Sequence, residues 1–205
     1  MLVDNKYLKY FSFIISIVFI FYVIYMIYTS YFIVKKQFTD IGDSTYVNQV
    51  RVDDYTKRLA SFLTKDCQKA DEKCEVQAML DFTTSIPYKV NESVARSSRQ
   101  VVKQNFGDCD DKSNLLISLL KVSGYEAYFV LVPKHIFVIV NLKEQIPNKK
   151  ALYINNKRFY ILESTAKNSK VGFRVNYKLD EIEAIIDPFK NKKLVINSLE
   201  YKYFN

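Results

Sequence analysis

The chain opens with an apolar block and then changes character. Residues 10–34 contain no charge and are dominated by Ile, Phe, Tyr and Val. About 20 apolar helical residues cross a bilayer core, so the run is long enough to span with some tilt. A secretory signal has an apolar core of roughly 7–15 residues followed by a small-residue cleavage site. Here the core is longer, and Tyr28-Thr-Ser-Tyr-Phe-Ile-Val-Lys-Lys offers no such site. The run therefore reads as an uncleaved single-pass anchor meeting the lipid bilayer through residues 10–34, with a buried core helix as the alternative. Tyrosines at 7, 10, 22, 25, 28 and 31 suit a membrane helix with aromatic ends. On this pattern residues 1–36 form the transmembrane anchor, 37–52 a polar juxtamembrane linker, and 53–205 a separate domain.

Beyond the linker the pattern becomes periodic. Val52, Tyr55, Leu59, Phe62 and Leu63 recur at helical spacing, with Asp53 or Asp54 placed to cap the start. A second helix is predicted over 71–84 on Val76, Met79 and Leu80. Ile86-Pro-Tyr stops it, because proline cannot continue the hydrogen-bond ladder. Residues 91–98 are polar and read as a loop. A third helix starts near Cys109, carries Leu115, Leu116, Leu119 and Leu120 on one stripe, and meets Gly124 just past its last turn. Strand-like segments follow at 125–132 and 135–142, broken by Pro133-Lys134. Another pair, 152–154 and 158–163, flanks a turn at Asn155-Asn156. Residues 171–177 read as a further strand, 180–186 as a short acidic helical piece, and 194–203 as a last strand. Helices first and antiparallel strands afterwards predict an α+β domain, its N-terminal helices packed on the sheet.

Charge and cysteine usage refine this. The formal net charge is +8, with small lysine clusters at Asn148-Lys-Lys and Lys190-Asn-Lys-Lys. No aromatic-interleaved basic motif accompanies them, so nucleic acid is not an expected partner. Anionic lipid headgroups suit such a surface, and an ordinary solvated face is the alternative. Lys6 and Lys9 before the apolar run nearly cancel Lys35 and Lys36 after it, so basic residues do not orient the anchor. Cys67 and Cys74 on one continuous helix would lie about 10 Å apart, beyond disulfide reach. A turn near Ala70 and Asp71 makes a bridge possible and implies an oxidising compartment, hence a domain outside the cytoplasm. Two unpaired thiols on a helical hairpin are the alternative.

The candidate chemistry lies in three segments. Cys109 falls in Asn105-Phe-Gly-Asp-Cys-Asp-Asp-Lys-Ser, where a loop becomes the first turn of a helix. Unpaired amides and partial positive charge at a helix start favour a thiolate and can hold an oxyanion. Acidic neighbours oppose this if they point at the sulfur; Asp110 and Asp111 are expected to face outwards. The chain's one histidine, His135, opens an alternating segment on the face of Phe137 and Ile139. It is a candidate to take the thiol proton and return it to a leaving group. Glu163 ends a segment shared with Phe159 and Ile161, and can fix the imidazole tautomer. The bland readings are a small buried cysteine, a loop histidine and a solvated glutamate.

Taken in order, these motifs resemble the transglutaminase-like superfamily. The carriers are Gly107-Asp-Cys-Asp-Asp-Lys-Ser-x-Leu-Leu, then Leu-Leu-x-x-Ser-Gly-Tyr-Glu-Ala-Tyr, a histidine strand, and Tyr-Ile-Leu-Glu-Ser-Thr-Ala. A preceding helix ending in Ile-Pro-Tyr is similar to the microbial members, and the likeness covers roughly 71–172. The resemblance implies a papain-like fold with Cys109 as nucleophile, His135 as base and acid, and Glu163 orienting the ring, where the family more often has Asp. It also implies an aromatic or amide donor at the oxyanion hole, for which Gln104 and Tyr88 are the candidates. No cofactor is implied, and one histidine with dispersed cysteines makes a poor metal set. The expected activity is cleavage or transfer of peptide or amide acyl groups through a thioester on a peptide or protein substrate, with hydrolysis favoured. The competing expectation is an inactive domain of the same fold that binds a peptide or protein.

Overall fold

In the computed structural model, residues 6–40, 45–47, 50–91 and 95–203 are described, with 33–40 and 45–47 as backbone only. The expected linker at 37–52 and loop at 91–98 each fall partly outside those residues. The chain divides into two compact units, Met1–Phe38 and Thr39–Asn205.

The first unit is essentially one helix, α1 (Lys6–Gln37), long and apolar enough to cross a membrane. Two of its hydroxyls bond to its own backbone. Ser16 Oγ donates to Ser12 O at 2.9 Å and Thr29 Oγ1 to Tyr25 O at 3.0 Å, the back-bonding to the preceding turn that helical hydroxyls adopt.

The second unit mixes helices with an antiparallel sheet. Two short strands, β1 (Phe38–Asp40) and β2 (Thr45–Val47), pair with each other near the start. Next comes α2 (Asp54–Leu63), capped by Asp53, whose carboxylate accepts from Thr56 N at 2.8 Å. Helix α3 (Glu72–Ser85) is capped by Asp71 in the same way. Between them the chain turns at Ala70 (φ 67°), and Cys67 and Cys74 are joined by a disulfide with Cα atoms 5.7 Å apart. The turn brings together two cysteines that a straight helix would hold apart. A short helix not expected from sequence, α4 (Ser98–Gln104), starts in a capping box between Ser97 and Gln100 and ends at Asn105 in a left-handed conformation. The long α5 (Cys109–Val122) follows.

The strands β3 (Ala127–Val132), β4 (His135–Val140), β5 (Lys150–Ile154), β6 (Lys157–Leu162), β7 (Ala184–Asp187), β8 (Lys192–Lys193) and β9 (Leu199–Tyr203) form one sheet. Its order is β8-β7-β3-β4-β6-β5-β9. Asn155 and Asn156 both take positive φ (51° and 65°), as a two-residue hairpin turn requires. One sheet face, with Phe129, Val138 and Leu162, packs on Leu116 and Leu119 of α5 and Met79 of α3. The other face, with Phe137, Ile139 and Ile161, is covered by Phe173, Val175 and Tyr177.

That covering segment corrects one expectation. Residues 171–177 alternate apolar and polar but join no ladder. Gly172 N and Phe173 N both donate to Ile161 O (3.0 and 3.1 Å), and Gly172 takes φ 76°, so the chain turns off the sheet and lies across its face. Alternation records which side chains are buried, and a strap can bury them as well as a strand. The acidic piece at 180–186 is a second correction. Only Leu179–Glu181 is helical, as a single 3-10 turn, and Ala184–Asp187 is a wholly buried strand paired with β3. Its apolar triplet Ala-Ile-Ile is placed by the sheet, overriding the acidic residues before it. The last predicted strand shortens to Leu199–Tyr203.

Candidate active site

Cys109 is the first residue of α5 and is half-buried. Asp108 caps the helix, accepting from Asp111 N at 3.2 Å and from Asn91 N at 3.0 Å. The residue before the cap is held from the other side. Gly107 N donates to Pro87 O, and Lys89 N donates to Gly107 O, both at 3.1 Å, so Tyr88 runs beside Gly107. A side chain at Gly107 would meet Asp111 Cβ at 2.8 Å, a close approach that only glycine allows.

Of the acidic pair after Cys109, Asp110 is exposed as expected, whereas Asp111 does not face outwards. Asp111 is fully buried. Arg96 binds it through N to Oδ1 (2.7 Å), Nε to Oδ2 (3.1 Å) and Nη2 to Oδ2 (2.6 Å). The same guanidinium donates to Phe106 O at 2.8 Å and stacks 4.2 Å over the Phe106 ring. Asp110 turns back to the sulfur, and Cys109 Sγ–H donates to its Oδ1 at 3.6 Å. The physical reason is local supply: a buried arginine draws one carboxylate inward, and the thiol is the nearest donor for the other.

His135 and Glu163 meet directly. His135 Nε2 lies 2.8 Å from Glu163 Oε2, and Glu163 is only 6 % exposed. Thr165 holds the other carboxylate oxygen through its N (2.9 Å) and Oγ1 (2.5 Å). Both ring and carboxyl belong to the sheet face opposite α5 by strand alternation, and Tyr177 stacks on the imidazole at 6.2 Å. With Nε2 engaged, Nδ1 is the ring nitrogen left for proton transfer.

Helix and sheet are fastened next to these residues. Ser113, one turn beyond Cys109, donates to Ile136 O at 3.4 Å and lies 3.1 Å from Ser164 Oγ. Ile136 follows His135, and Ser164 follows Glu163, so the helix start is brought to the end of the sheet that carries both. Among the described residues, however, the bond that Sγ makes is to Asp110 and not to the ring.

The electrostatics follow from this placement. Burial pushes the Cys109 thiol up to about 12, and Asp110 and Asp108 add to the rise. Burial and these acidic neighbours thus work against the thiolate that a helix start favours. The bond to Glu163 raises His135 against the opposing effect of burial, with the charges of Glu163 and Asp110 contributing. Burial alone would raise Glu163, but the bonds from His135 and Thr165 outweigh it and hold it low. That Asp110 acts on His135 shows the thiol's partner and the imidazole to be electrostatic neighbours.

The two oxyanion candidates part company. Burial first, and then the charges of Cys109, Asp108 and Asp110, push the Tyr88 phenol up, so it stays protonated and able to donate. Gln104 instead accepts through Oε1 from Arg96 Nη1 and belongs to the arginine cluster. Sequence reasoning missed Arg96, which no motif marks. It also missed Lys112, buried at 1 % exposure, although a lysine on the apolar stripe of α5 is itself a signal. Among the described residues no group of His, Cys, Asp and Glu is arranged to hold a metal ion.

No protein-family model matches the chain, and no curated relative does. Solved structures similar to it include a candidate cysteine protease from Cytophaga hutchinsonii, at 15% identity and TM-score 0.41, covering 73% of this chain and 50% of that one. Another is Legionella pneumophila LapG, at 12% identity and TM-score 0.43, covering 60% of this chain and 77% of that one. The chain thus spans half the length of the Cytophaga protein. Neither likeness assigns a residue role, and the site stands on its own geometry.

Proposed function

We propose that the protein is a membrane-anchored thiol enzyme of the transglutaminase-like kind, acting on peptide or amide bonds, with hydrolysis favoured over transfer. The observation that carries this reading is the His135–Glu163 pair at 2.8 Å, which leaves Nδ1 free, together with the Ser113 bonds to Ile136 and Ser164 that fasten the helix bearing Cys109 to the same end of the sheet. An orienting carboxylate on an imidazole near a thiol is the arrangement nucleophilic catalysis needs.

On this reading, substrate entry displaces Asp110 from the sulfur, since hydrogen bonds of a catalytic set often tighten only in the complex. The Cys109 S–H proton passes to His135 Nδ1 as Sγ bonds to the carbonyl carbon and the carbonyl electron pair moves onto oxygen. Amides at the start of α5 and the Tyr88 hydroxyl are the donors available to that oxyanion. The carbon–nitrogen bond then breaks, the amine takes the proton from His135, and a thioester remains on Cys109. Water attacks it as His135 takes a water proton. The carbon–sulfur bond breaks, and the proton returns to sulfur. An amine in place of water gives transfer.

Helix α1 suits a single-pass anchor, and the Cys67–Cys74 bridge supports a domain on the outer side of the membrane. Protease added to intact cells tests this by trimming the domain. The activity is tested by mass spectrometry of Cys109 after exposure to peptide mixtures. A hydroxylamine-labile acyl adduct that is lost in Cys109→Ala is expected; its absence across substrates refutes the enzyme.

One observation favours a second reading. A thiol pushed up to about 12 and bonded to Asp110 is a poor nucleophile, as suits a peptide-binding module without turnover. Iodoacetamide separates the two: an enzyme labels faster at Cys109 when peptide is bound or Asp110 is removed, and loses that gain in His135→Ala.

A further inference from the structure

A cavity of about 580 Å³ opens beside the proposed catalytic set. Tyr88 and Thr165 are among its lining residues; Thr165 bonds to Glu163, and the charge of Cys109 acts on Tyr88. Its other lining includes Lys112, Lys167, Lys170 and Asp81. Three ammonium groups thus face one carboxylate, and Asp81 is already engaged by Lys170 at 3.7 Å and by Gln77.

Lys112 gives the cavity a built cation. It is 1 % exposed, and its Nζ donates to Ile86 O at 2.7 Å and to Thr84 O at 3.4 Å. Among the described residues no carboxylate comes within ion-pair distance of it. An ammonium carries three donors, so one remains beyond the two carbonyls. The Glu163 carboxylate acts on it only from beyond ion-pair distance, so the buried charge is compensated in part, and a ligand that brings a carboxylate closer is favoured accordingly.

We infer that this cavity is a subsite for a carboxylate of the peptide substrate, held by Lys112 with Lys167 and Lys170 at its mouth. The occupant is an acidic peptide, its carboxylate a few residues or fewer from the bond that meets Cys109. The position of that bond rests on the thiol-enzyme reading, whereas the carboxylate binding does not. A carboxylate fits better than a phosphate: no arginine fork lines the cavity, and Asp81 opposes a dianion more than a monoanion.

The test uses the full chain in detergent, carrying Cys109→Ala so that turnover cannot intervene. Fluorescence anisotropy compares two labelled peptides that differ only in Glu against Gln. The Glu peptide is expected to bind about tenfold tighter, the effect of one charge-assisted bond. That ratio should fall towards one in Lys112→Met. Because Lys112→Met removes the donor to the end of α3 and can misfold, Lys167→Gln with Lys170→Gln is measured beside it, and should cut the ratio several-fold.

Equal affinity for the two peptides, no binding of either, or a ratio unchanged in the surface double variant overturns the inference. So does inorganic phosphate displacing the Glu peptide more strongly than acetate does. Preferential binding of the Glu peptide without any thioester on Cys109 leaves the subsite standing and removes the enzyme. Thioester formation with equal affinities does the reverse.

Discussion

Cys109 Sγ donates to Asp110 Oδ1 at 3.6 Å, so the proposed nucleophile is held protonated by its own sequence neighbour. Burial is the larger cause of the raised thiol and Asp110 the next. Asp110→Asn keeps the shape and removes the charge. Alkylation of Cys109 by iodoacetamide at fixed alkaline pH should then rise about tenfold, the effect of one unit in thiol ionisation. An unchanged rate would show that Asp110 does not guard the sulfur.

His135 should announce Glu163 through pH. The imidazole is held above its ordinary 6.5, first by the bond to Glu163. Its basic form therefore appears only at higher pH, and the acid limb of Cys109 acylation should lie above 6.5. Glu163→Gln removes the cause, so the limb should move down while the maximal rate falls. A limb that stays put would detach Glu163 from the ring.

The same pair contributes to stability with opposite signs at its two ends. The raised His135 contributes fully below about 6.5 and loses the contribution as pH rises through its folded value. The depressed Glu163 contributes above about 4.5 and loses it as pH falls through its folded value. Glu163→Gln should thus cost most between those limits, about 1.5–3 kcal/mol for a charge-assisted bond. Urea midpoints of wild type and variant at pH 4, 5.5 and 8 check it; an equal difference at all three contradicts the linkage.

Much of this was legible in the sequence where short-range pattern decides. Asp53 and Asp71 cap their helices, the alternation around Phe137 and Ile139 is a strand, and Asn155-Asn156 makes the tight turn. Order along the chain also pointed to His135 and Glu163, which the sheet brings together because β4 pairs antiparallel with β6. What escaped depends on partners far away in sequence. Arg96 decides that Asp111 goes inward, and β3 decides that Ala184–Asp187 is a strand. The strap at 171–177 escaped for a different reason: alternation fixes which side chains are buried, not whether the backbone pairs.

Arg96 and Asp111 form the most enclosed charge pair near the site, with side-chain exposures of 10% and 0%. Removing one member of a buried pair leaves an uncompensated charge, which costs about 3–5 kcal/mol. Arg96→Ala should therefore lower the urea midpoint of the domain sharply, and Asp111→Asn added to it should recover part of the loss. An additive pair of losses in the double-mutant cycle would mean the two side chains do not sustain each other.

The bridge between Cys67 and Cys74 closes a loop separated by seven positions, small for a cross-link. Loop-closure entropy for such a ring amounts to about 2–2.5 kcal/mol against the unfolded chain. Cys67→Ser with Cys74→Ser should lower stability by about that much. Reductant should do the same to the wild type and nothing to the variant. The thiol at Cys109 reports whether the loss spreads: α5 packs on Met79 of α3 but Asp71 still caps that helix, so under native conditions the Cys109 alkylation rate should change little when the bridge is lost. Measured by denaturant titration with and without reductant, a wild type indifferent to reductant would show that the turn at Ala70 holds α2 against α3 without the sulfur link.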